Sequence, residues 1–148
     1  MSENNYYMII TSPEDFEIDL KNNLSIIGLP DRNKRAAKNF AVGDKIVFYI
    51  SKMSLFGGIA EVTGEYYYHK KKIWTDHYDL WPHRVSSKPL YLINDFNKMI
   101  FIKEIWDDLD FIKTKGSWGV YVQGSFRKLS KHDFKVILQN LKGKNTAT

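Results

Sequence analysis

Two short segments, YYMIITS (6–12) and KIVFYIS (45–51), carry apolar side chains at nearly every position. A strand with one face in water alternates polar and apolar residues, whereas a strand covered on both faces is continuously apolar. Both segments are far shorter than the roughly 18 residues that a membrane-spanning helix needs. We therefore predict two strands inside a covered sheet, with the first strand in a central position, and no membrane span.

The chain after the first strand carries the signature of a helix start. Ser12 precedes Pro13 and lies three residues before Asp15, which is the spacing of a capping box with proline in the first turn. We predict a short helix here that turns Phe16 and Leu20 toward the core.

A second helix is predicted near the C-terminus. Ser130 and Asp133 repeat the capping spacing, and the apolar residues that follow form one helical stripe: Phe134, Ile137, Leu138 and Leu141. Gly143 is the expected stop, and residues 144–148 are predicted to be a disordered tail.

The remaining segments complete an α+β pattern. We predict strands at 24–29, at 56–68 with a bulge or bend at its paired glycines, and at 117–124. Residues 82–93 contain Pro89, which indicates an edge strand. Residues 69–81 are predicted to be a loop or hairpin tip, and part of 95–112 a helix. Together they predict one domain over residues 1–143, a mixed sheet curled into a small open barrel with short helices and a capping C-terminal helix.

Composition narrows the classes of function. The net charge of +5 and the sequence pI near 9.2 favour polyanionic partners, and 15% aromatic residues supply surfaces that stack on planar ligands. The absence of cysteine excludes disulfides, thiol nucleophiles and thiolate zinc sites. The sequence has none of the common hydrolase, P-loop or dinucleotide motifs. The N-terminus has no signal-peptide pattern, so we expect a cytoplasmic protein.

The basic segment GLPDRNKRAAKNF (28–40) breaks a local rule. If Asp31 caps a helix after Pro30, then Arg32, Lys34 and Arg35 lie in the first turn, where the helix dipole disfavours cations. A phosphate bound at the helix start would explain these cations. A solvated basic face is the alternative.

Motifs spread over nearly the whole chain resemble those of the EVE domain, a PUA-like family related to YTH domains. The resemblance lies in the ordered series YYMIITSPEDFE, GLPDRNKRAAKNF, VGDKIVFYIS, GIAEVTGE and WGVYVQGSFRKLSKHDF. It is similar to the small stand-alone prokaryotic members of unknown function. The resemblance implies a PUA-like fold and a cleft of aromatic and small residues that binds a modified or flipped base. Many members carry tryptophan where this chain has Tyr7.

These arguments predict two sets of site residues. The predicted base-binding cleft contains Tyr7, Ser12, Asn39, Gly58, Trp81, His83 and Trp118. The predicted phosphate contacts are Arg32, Lys34, Arg35 and Arg84. Core packing is the alternative for both tryptophans, a buried structural amide for Asn39 and a simple bulge for Gly58. A further hypothesis is that single-stranded nucleic acid lies across the tyrosines at 66–68.

The predicted function is therefore a non-catalytic nucleic-acid-binding domain, without a cofactor, that recognises a modified base. RNA and DNA remain open. A small-molecule sensor or protein adaptor using the same cleft is one alternative. A metal-dependent nuclease is another, with Asp76, His77, Asp79 and His83 as candidate ligands.

Overall fold

The computed structural model describes residues 4–146, with side chains described up to residue 143. Within this range the strands are β1 Tyr6–Thr11, β2 Ile26–Leu29, β3 Lys45–Ile50, β4 Leu55–Val62, β5 Tyr67–Tyr68, β6 His83–Leu92, β7 Ile100–Phe101 and β8 Phe126–Leu129. The α-helices are α1 Pro13–Lys21, α2 Lys34–Lys38 and α3 Lys131–Thr146. No helix within residues 4–146 is long and apolar enough to span a membrane.

All eight strands form one curled sheet in the order β2-β6-β4-β3-β1-β8, with β5 paired to β6 and β7 paired to β4. The β1–β3 pair is parallel and the other pairs are antiparallel. β1 lies between β3 and β8, which confirms its central position. The predicted α+β architecture, an open mixed barrel with short helices and a C-terminal helix, is confirmed.

The two helices predicted from capping rules are both present. Ser12 Oγ accepts from Asp15 N (3.1 Å), and Ser130 Oγ accepts from Asp133 N (3.0 Å). Phe16 is fully buried beneath α1. The expected stop at Gly143 is wrong, because α3 continues to Thr146. Glycine lowers helix stability by about 1 kcal/mol without preventing the helix. Of the predicted tail, residues 147–148 lie outside the described residues.

The paired glycines of β4 produce the predicted bulge. Phe48 pairs with Gly58 and Tyr49 with Phe56, so Gly57 is the extra residue. A Cβ on Gly58 would stand 2.9 Å from the Tyr91 carbonyl oxygen and 3.2 Å from Leu24 Cδ1. The protein itself fills this space, so Gly58 serves packing and does not face a ligand cleft.

The prediction of an edge position for residues 82–93 is wrong for residues 83–86, which pair with β2, and holds around Pro89, where β6 pairs with β4 alone. Pro89 is tolerated because it lies beyond the residues that pair with β2, at a register shift against β4. The predicted strand at 117–124 is also wrong. Residues Lys115–Val122 form 3₁₀ turns, and the last strand is β8. Val120 is 56% exposed, so the alternation of apolar residues in this segment does not correspond to a buried strand face.

The basic segment contains less helix than predicted. Asp31–Asn33 form a 3₁₀ turn, and α2 has only five residues, without a side-chain cap. Asp31 does not cap a helix, because its carboxylate bonds His83 Nε2 at 2.6 Å instead. The helix-dipole argument for a phosphate site therefore fails, and only the exposed cations themselves remain.

Candidate nucleic-acid interface

A narrow cavity opens at one end of the sheet beneath the segment 69–82, which we call the tryptophan loop. The inner cavity is lined by residues of α1, β1, β2 and β3 and by two indoles of the loop: Ile9, Thr11, Asp15, Asp19, Ile26, Ile27, Gly28, Phe48, Trp74 and Trp81. Its space open to a water-sized molecule is about 20 Å³, enough for about one water. An ordinary base requires the cavity to widen.

The inner cavity continues into a wider mouth of about 430 Å³ on the same measure. Thr11, Asp15 and Trp81 line both spaces, so the two adjoin, and we call them together the cleft. The mouth also includes Ser12, Arg32, Ser51 and the segment 122–125. Trp81 stands at the boundary between the narrow and the wide part.

Trp74 forms the buried wall of the cavity. Its Nε1 donates a 2.8 Å hydrogen bond to Asp19 Oδ1, which ties the tryptophan loop to α1. The ring lies directly over β2, where a Cβ on Gly28 would stand 2.6 Å from its outer carbons. Glycine at position 28 is therefore required by the close approach of the indole.

Trp81 forms the second wall, with a left-handed backbone at φ +53°. Such a conformation costs about 1–3 kcal/mol in a residue other than glycine and persists only where neighbours enforce it. Here Asp79 Oδ1 accepts from Trp81 N (3.1 Å), and Arg84 Nε donates to the Trp81 carbonyl (3.0 Å). The two indoles lie 6.4 Å apart between ring centroids, at 50° to each other.

Arg84 holds the loop together and is not available for phosphate. Its side chain is 2% exposed, and its guanidinium donates to the carbonyls of Lys71, Leu80 and Trp81. The guanidinium also lies 5.3 Å from the Trp74 ring centroid. Burial lowers the pKa of Arg84. The predicted phosphate contact at this position is therefore replaced by a structural role.

Two carboxyl groups face the inner cavity. Asp19 is 5% exposed, and burial raises its pKa to about 7, with the Asp15 charge adding to the rise and the Trp74 N–H opposing it. Asp15 Oδ1 accepts from Thr75 N at 2.9 Å. Together the two groups fix the tryptophan loop to α1 and give the cavity an acidic lining.

One cation, Arg32, lines the mouth, and two more cations follow it along the chain; we call these three residues the basic rim. Arg32 Nη2 donates to Ser125 Oγ, so this side chain crosses the mouth from the 3₁₀ turn to the segment before β8. Lys34 and Arg35 follow on α2 and are exposed. Of the four predicted phosphate contacts, these three remain predictions supported by their exposure.

Only two residues of the predicted base-binding set, Ser12 and Trp81, line the cleft. Tyr7 is buried in the core, with its ring 4.9 Å from that of Phe40. Gly58 lies in the sheet interior. Tyr7 is therefore a core residue of this chain and not a wall of the cleft.

The other three predicted cleft residues lie elsewhere. His83 is 2% exposed and bonded between Tyr66 Oη (2.6 Å) and Asp31 Oδ1 (2.6 Å). Asn39 is exposed at the end of α2 and lines neither the cavity nor the mouth, so the buried-amide alternative is wrong as well. Trp118 is partly buried, packs edge-on against Trp106 at 5.9 Å between ring centroids, and lines neither the cavity nor the mouth.

The candidate metal ligands do not converge. Asp76 accepts from two backbone N–H groups of its own loop, which lowers its pKa, and Asp79 accepts from Asp31 N and Trp81 N. Within residues 4–146, the one group of donors close enough for a metal ion is Asp110, His132 and Asp133. Asp133 lies at the start of α3, and its two carboxylate oxygens already accept the backbone N–H groups of Asp110 and Phe111.

Sequence reasoning missed most of the cleft: Thr11, Asp15, Asp19, Trp74, Gln123 and Ser125. One signal was available, because Asp19 follows Phe16 by three residues and so shares its inward face of α1. An acidic residue on the buried face of a short helix indicates a partner inside the protein. Trp74 carried no comparable signal within its polar loop.

A profile of the EVE domain matches residues 5–140. The chain belongs to the EVE domain family. UPF0310 protein PH1033 of Pyrococcus horikoshii is 30% identical over 145 residues, covering 89% of this chain and 95% of that protein. The EVE domain assignment made from the ordered motifs is thereby confirmed.

Solved structures share the fold of this EVE domain at low sequence identity. The Mmi1 YTH domain has a TM-score of 0.67 at 12% identity, covering 99% of this chain and 79% of that one. A Mmi1 YTH domain in complex with RNA has a TM-score of 0.63 at 13% identity, covering 98% and 80%. These likenesses show that this chain shares its α+β fold with YTH domains.

Proposed function

We propose that this EVE domain binds a nucleic acid, takes one extruded and modified base into the cleft between Trp74 and Trp81, and does so without catalysis. The observation that carries this proposal is that the inner cavity and the mouth adjoin and share Trp81 as a wall. A cavity with two indole walls opens into a mouth crossed by Arg32, with Lys34 and Arg35 exposed just beyond it along the chain. Stacking surfaces beside exposed cations suit a base joined to its phosphates.

The inner cavity must widen to accept a base, and Trp81 is the wall suited to move. Trp74 is anchored by its bond to Asp19 and by its packing on Gly28. Trp81 is only half-buried, its backbone is strained, and its Nε1 makes no hydrogen bond of good geometry, with Asp76 as its nearby acceptor. A base that enters between the indoles gains stacking of about 1–3 kcal/mol.

Two further observations support nucleic acid as the partner and a role in binding. A fold neighbour, the Mmi1 YTH domain, has been solved with RNA. The ionisable groups of the cleft are engaged in structure, since Asp19 bonds Trp74 and Asp15 bonds the backbone of Thr75. The proposal therefore gives these carboxyl groups no catalytic step.

The test compares a short labelled single strand that carries a central modified base with the same strand carrying an abasic site. Fluorescence anisotropy measures both affinities for the parent and for Trp81→Ala. We expect the substitution to weaken binding of the base-containing strand by about 1–3 kcal/mol and to leave binding of the abasic strand unchanged. Tyr78→Ala is the matched control, because it removes a 99% exposed ring of the same loop that lines neither part of the cleft.

The proposal fails if the parent binds the abasic strand as tightly as the base-containing strand. It also fails if Trp81→Ala, with its melting temperature unchanged, binds both strands as the parent does. If Trp81→Ala melts at a lower temperature than the parent, its affinities are set aside. The parent's preference for the base-containing strand over the abasic strand then decides.

A further inference from the structure

The lining of the inner cavity has an unusual charge balance for a protein with a net charge of +5. Its ten residues include two tryptophans and two aspartates, and no lysine, arginine or histidine. The cations are outside, with Arg32 at the mouth and Arg84 behind Trp74. The phosphates of a nucleic-acid strand are thus attracted to the basic rim, while the inner cavity favours a positively charged group.

The carboxyl group of Asp19 is the deepest of these features. Its Oδ1 accepts from Trp74 Nε1, and its Oδ2 has no hydrogen-bond partner among the residues that the structure describes. Asp19 is only 5% exposed as a whole, and its second carboxyl oxygen keeps some contact with solvent. A buried carboxylate without full hydrogen bonding gains most from a cation or a strong donor.

Indole faces add to this preference. A cation over the face of tryptophan is attracted by the ring quadrupole, and the attraction strengthens where water is excluded. Arg84 already lies 5.3 Å from the Trp74 ring centroid, outside the cavity lining, so one cation is stably held against this ring. Among the described residues, no cation lies over the ring of the opposite wall, Trp81.

We propose that the cleft prefers a base that is itself positively charged, such as an N-methylated cationic adenine or cytosine, over the neutral isomer of that base. This inference rests on the proposed function. The cation is held between the two indoles, with Asp19 and Asp15 supplying the compensating charge. Phosphates flanking the base stay at the basic rim.

The proposal predicts a definite pH dependence. The groups around Asp19 are the Trp74 N–H, Asp15 on α1 and the Arg84 guanidinium on the far side of Trp74. With its pKa raised to about 7, Asp19 is largely protonated at about pH 6 and mostly ionised at about pH 7.5. Binding of the cationic base therefore strengthens as pH rises through this window, whereas binding of the neutral base changes little.

The experiment uses two isomeric probes, N1-methyladenine, a cation at neutral pH, and N6-methyladenine, which is neutral. Each is placed at the centre of the same short strand, in RNA and in DNA, and affinities are measured by anisotropy at about pH 6 and about pH 7.5. At the higher pH we expect the strand with N1-methyladenine to bind about tenfold more tightly than the strand with N6-methyladenine. Asp19→Asn should remove most of this preference, because the amide oxygen keeps the Trp74 bond and loses the charge.

Glu17→Gln is the matched control, since it removes one exposed charge from the same helix without lining the cavity. It should retain the full preference. Asp15→Asn, which keeps an acceptor for Thr75 N, should reduce the preference partly and provides a second variant if Asp19→Asn does not fold. Thermal melting of each variant checks that the fold is intact.

The outcomes separate this inference from the proposed function. Equal or weaker binding of the cationic isomer, with both isomers above the abasic strand, overturns the charge preference and leaves base binding in place. Equal binding of both isomers and the abasic strand overturns both. Tighter binding of a trimethyl-lysine peptide than of the cationic strand overturns the nucleic-acid assignment. A preference that Asp19→Asn removes and Glu17→Gln retains supports the inference.

Discussion

Trp74 Nε1 and Asp19 Oδ1 lie 2.8 Å apart, and this buried hydrogen bond joins a polar loop to the inward face of α1. It converts two sequence-distant residues into one wall of the cleft. Trp74→Phe keeps an aromatic wall and removes the donor. We expect the pKa of Asp19 to rise above about 7, because the variant has no bond to oppose its desolvation. Carboxyl NMR titration measures this shift. Trp106→Phe, outside the cleft, should leave the Asp19 titration unchanged.

Asp19→Asn should also change how stability depends on pH. The folded-state pKa of Asp19 is about 7 against an ordinary value of 3.8, so the folded protein binds more protons between these values. Its contribution to stability is fully present below pH 3.8 and is lost as pH rises through 7. As pH rises across this window, the free energy of unfolding of the variant should increase relative to that of the parent by at most about 1.4 kcal/mol per pH unit. Urea unfolding at several pH values measures the difference, and a constant difference from about pH 4 to about pH 8 would contradict the shift.

The basic rim is tested by salt dependence. Replacing Arg32, Lys34 and Arg35 by alanine should lower the slope of log affinity against log salt by about one unit for each phosphate that these cations neutralise. Anisotropy titrations at several salt concentrations give the slope. Alanine at Lys131 and Lys135, two exposed cations of α3, changes the net charge without touching the rim. If both variants lower the slope equally per charge removed, the rim binds no phosphate.

Arg84 should behave as a structural residue. Arg84→Lys leaves one compact donor group where the guanidinium bonds the carbonyls of Lys71, Leu80 and Trp81. We expect a loss of about 2 kcal/mol in the free energy of unfolding, because part-buried carbonyls lose the donors that the planar guanidinium supplies. The exposed Arg35→Ala should change it by less than about 0.5 kcal/mol. Equal stability of the Arg84→Lys variant and the parent would show that the loop does not depend on this guanidinium.

The packing role assigned to Gly58 has a direct test. Gly58→Ala places a Cβ 2.9 Å from the Tyr91 carbonyl oxygen, and backbone on the neighbouring strand cannot easily yield. We expect it to destabilise the protein by about 1–3 kcal/mol in urea unfolding. Gly64→Ala is the control, since its Cβ would meet Ser86 at an ordinary 3.4 Å. Indistinguishable stabilities of the two variants would mean that the sheet at Gly58 is loose enough for a ligand to approach.

Elements with local signals could be predicted from the amino-acid sequence. Continuous apolar runs indicated β1 and β3, hydroxyl caps indicated the starts of α1 and α3, and two adjacent glycines indicated the bulge in β4. Each of these patterns depends on residues within a few positions of one another. The ordered motifs also identified the EVE domain, because their order along the chain is itself a sequence property.

The choice of polar and aromatic residues that form the cleft depends on tertiary packing. Arg84 and His83 are residue types that often bind ligands, but strand pairing buries them among carbonyls and neighbouring side chains. Asp19 and Trp74 are 55 residues apart, and nothing local indicates that they meet. The same holds for residues 117–124, where alternation suggested a strand and β8 took the place beside β1. Local patterns report which face of an element is buried, whereas the neighbour across that face depends on how the whole sheet curls.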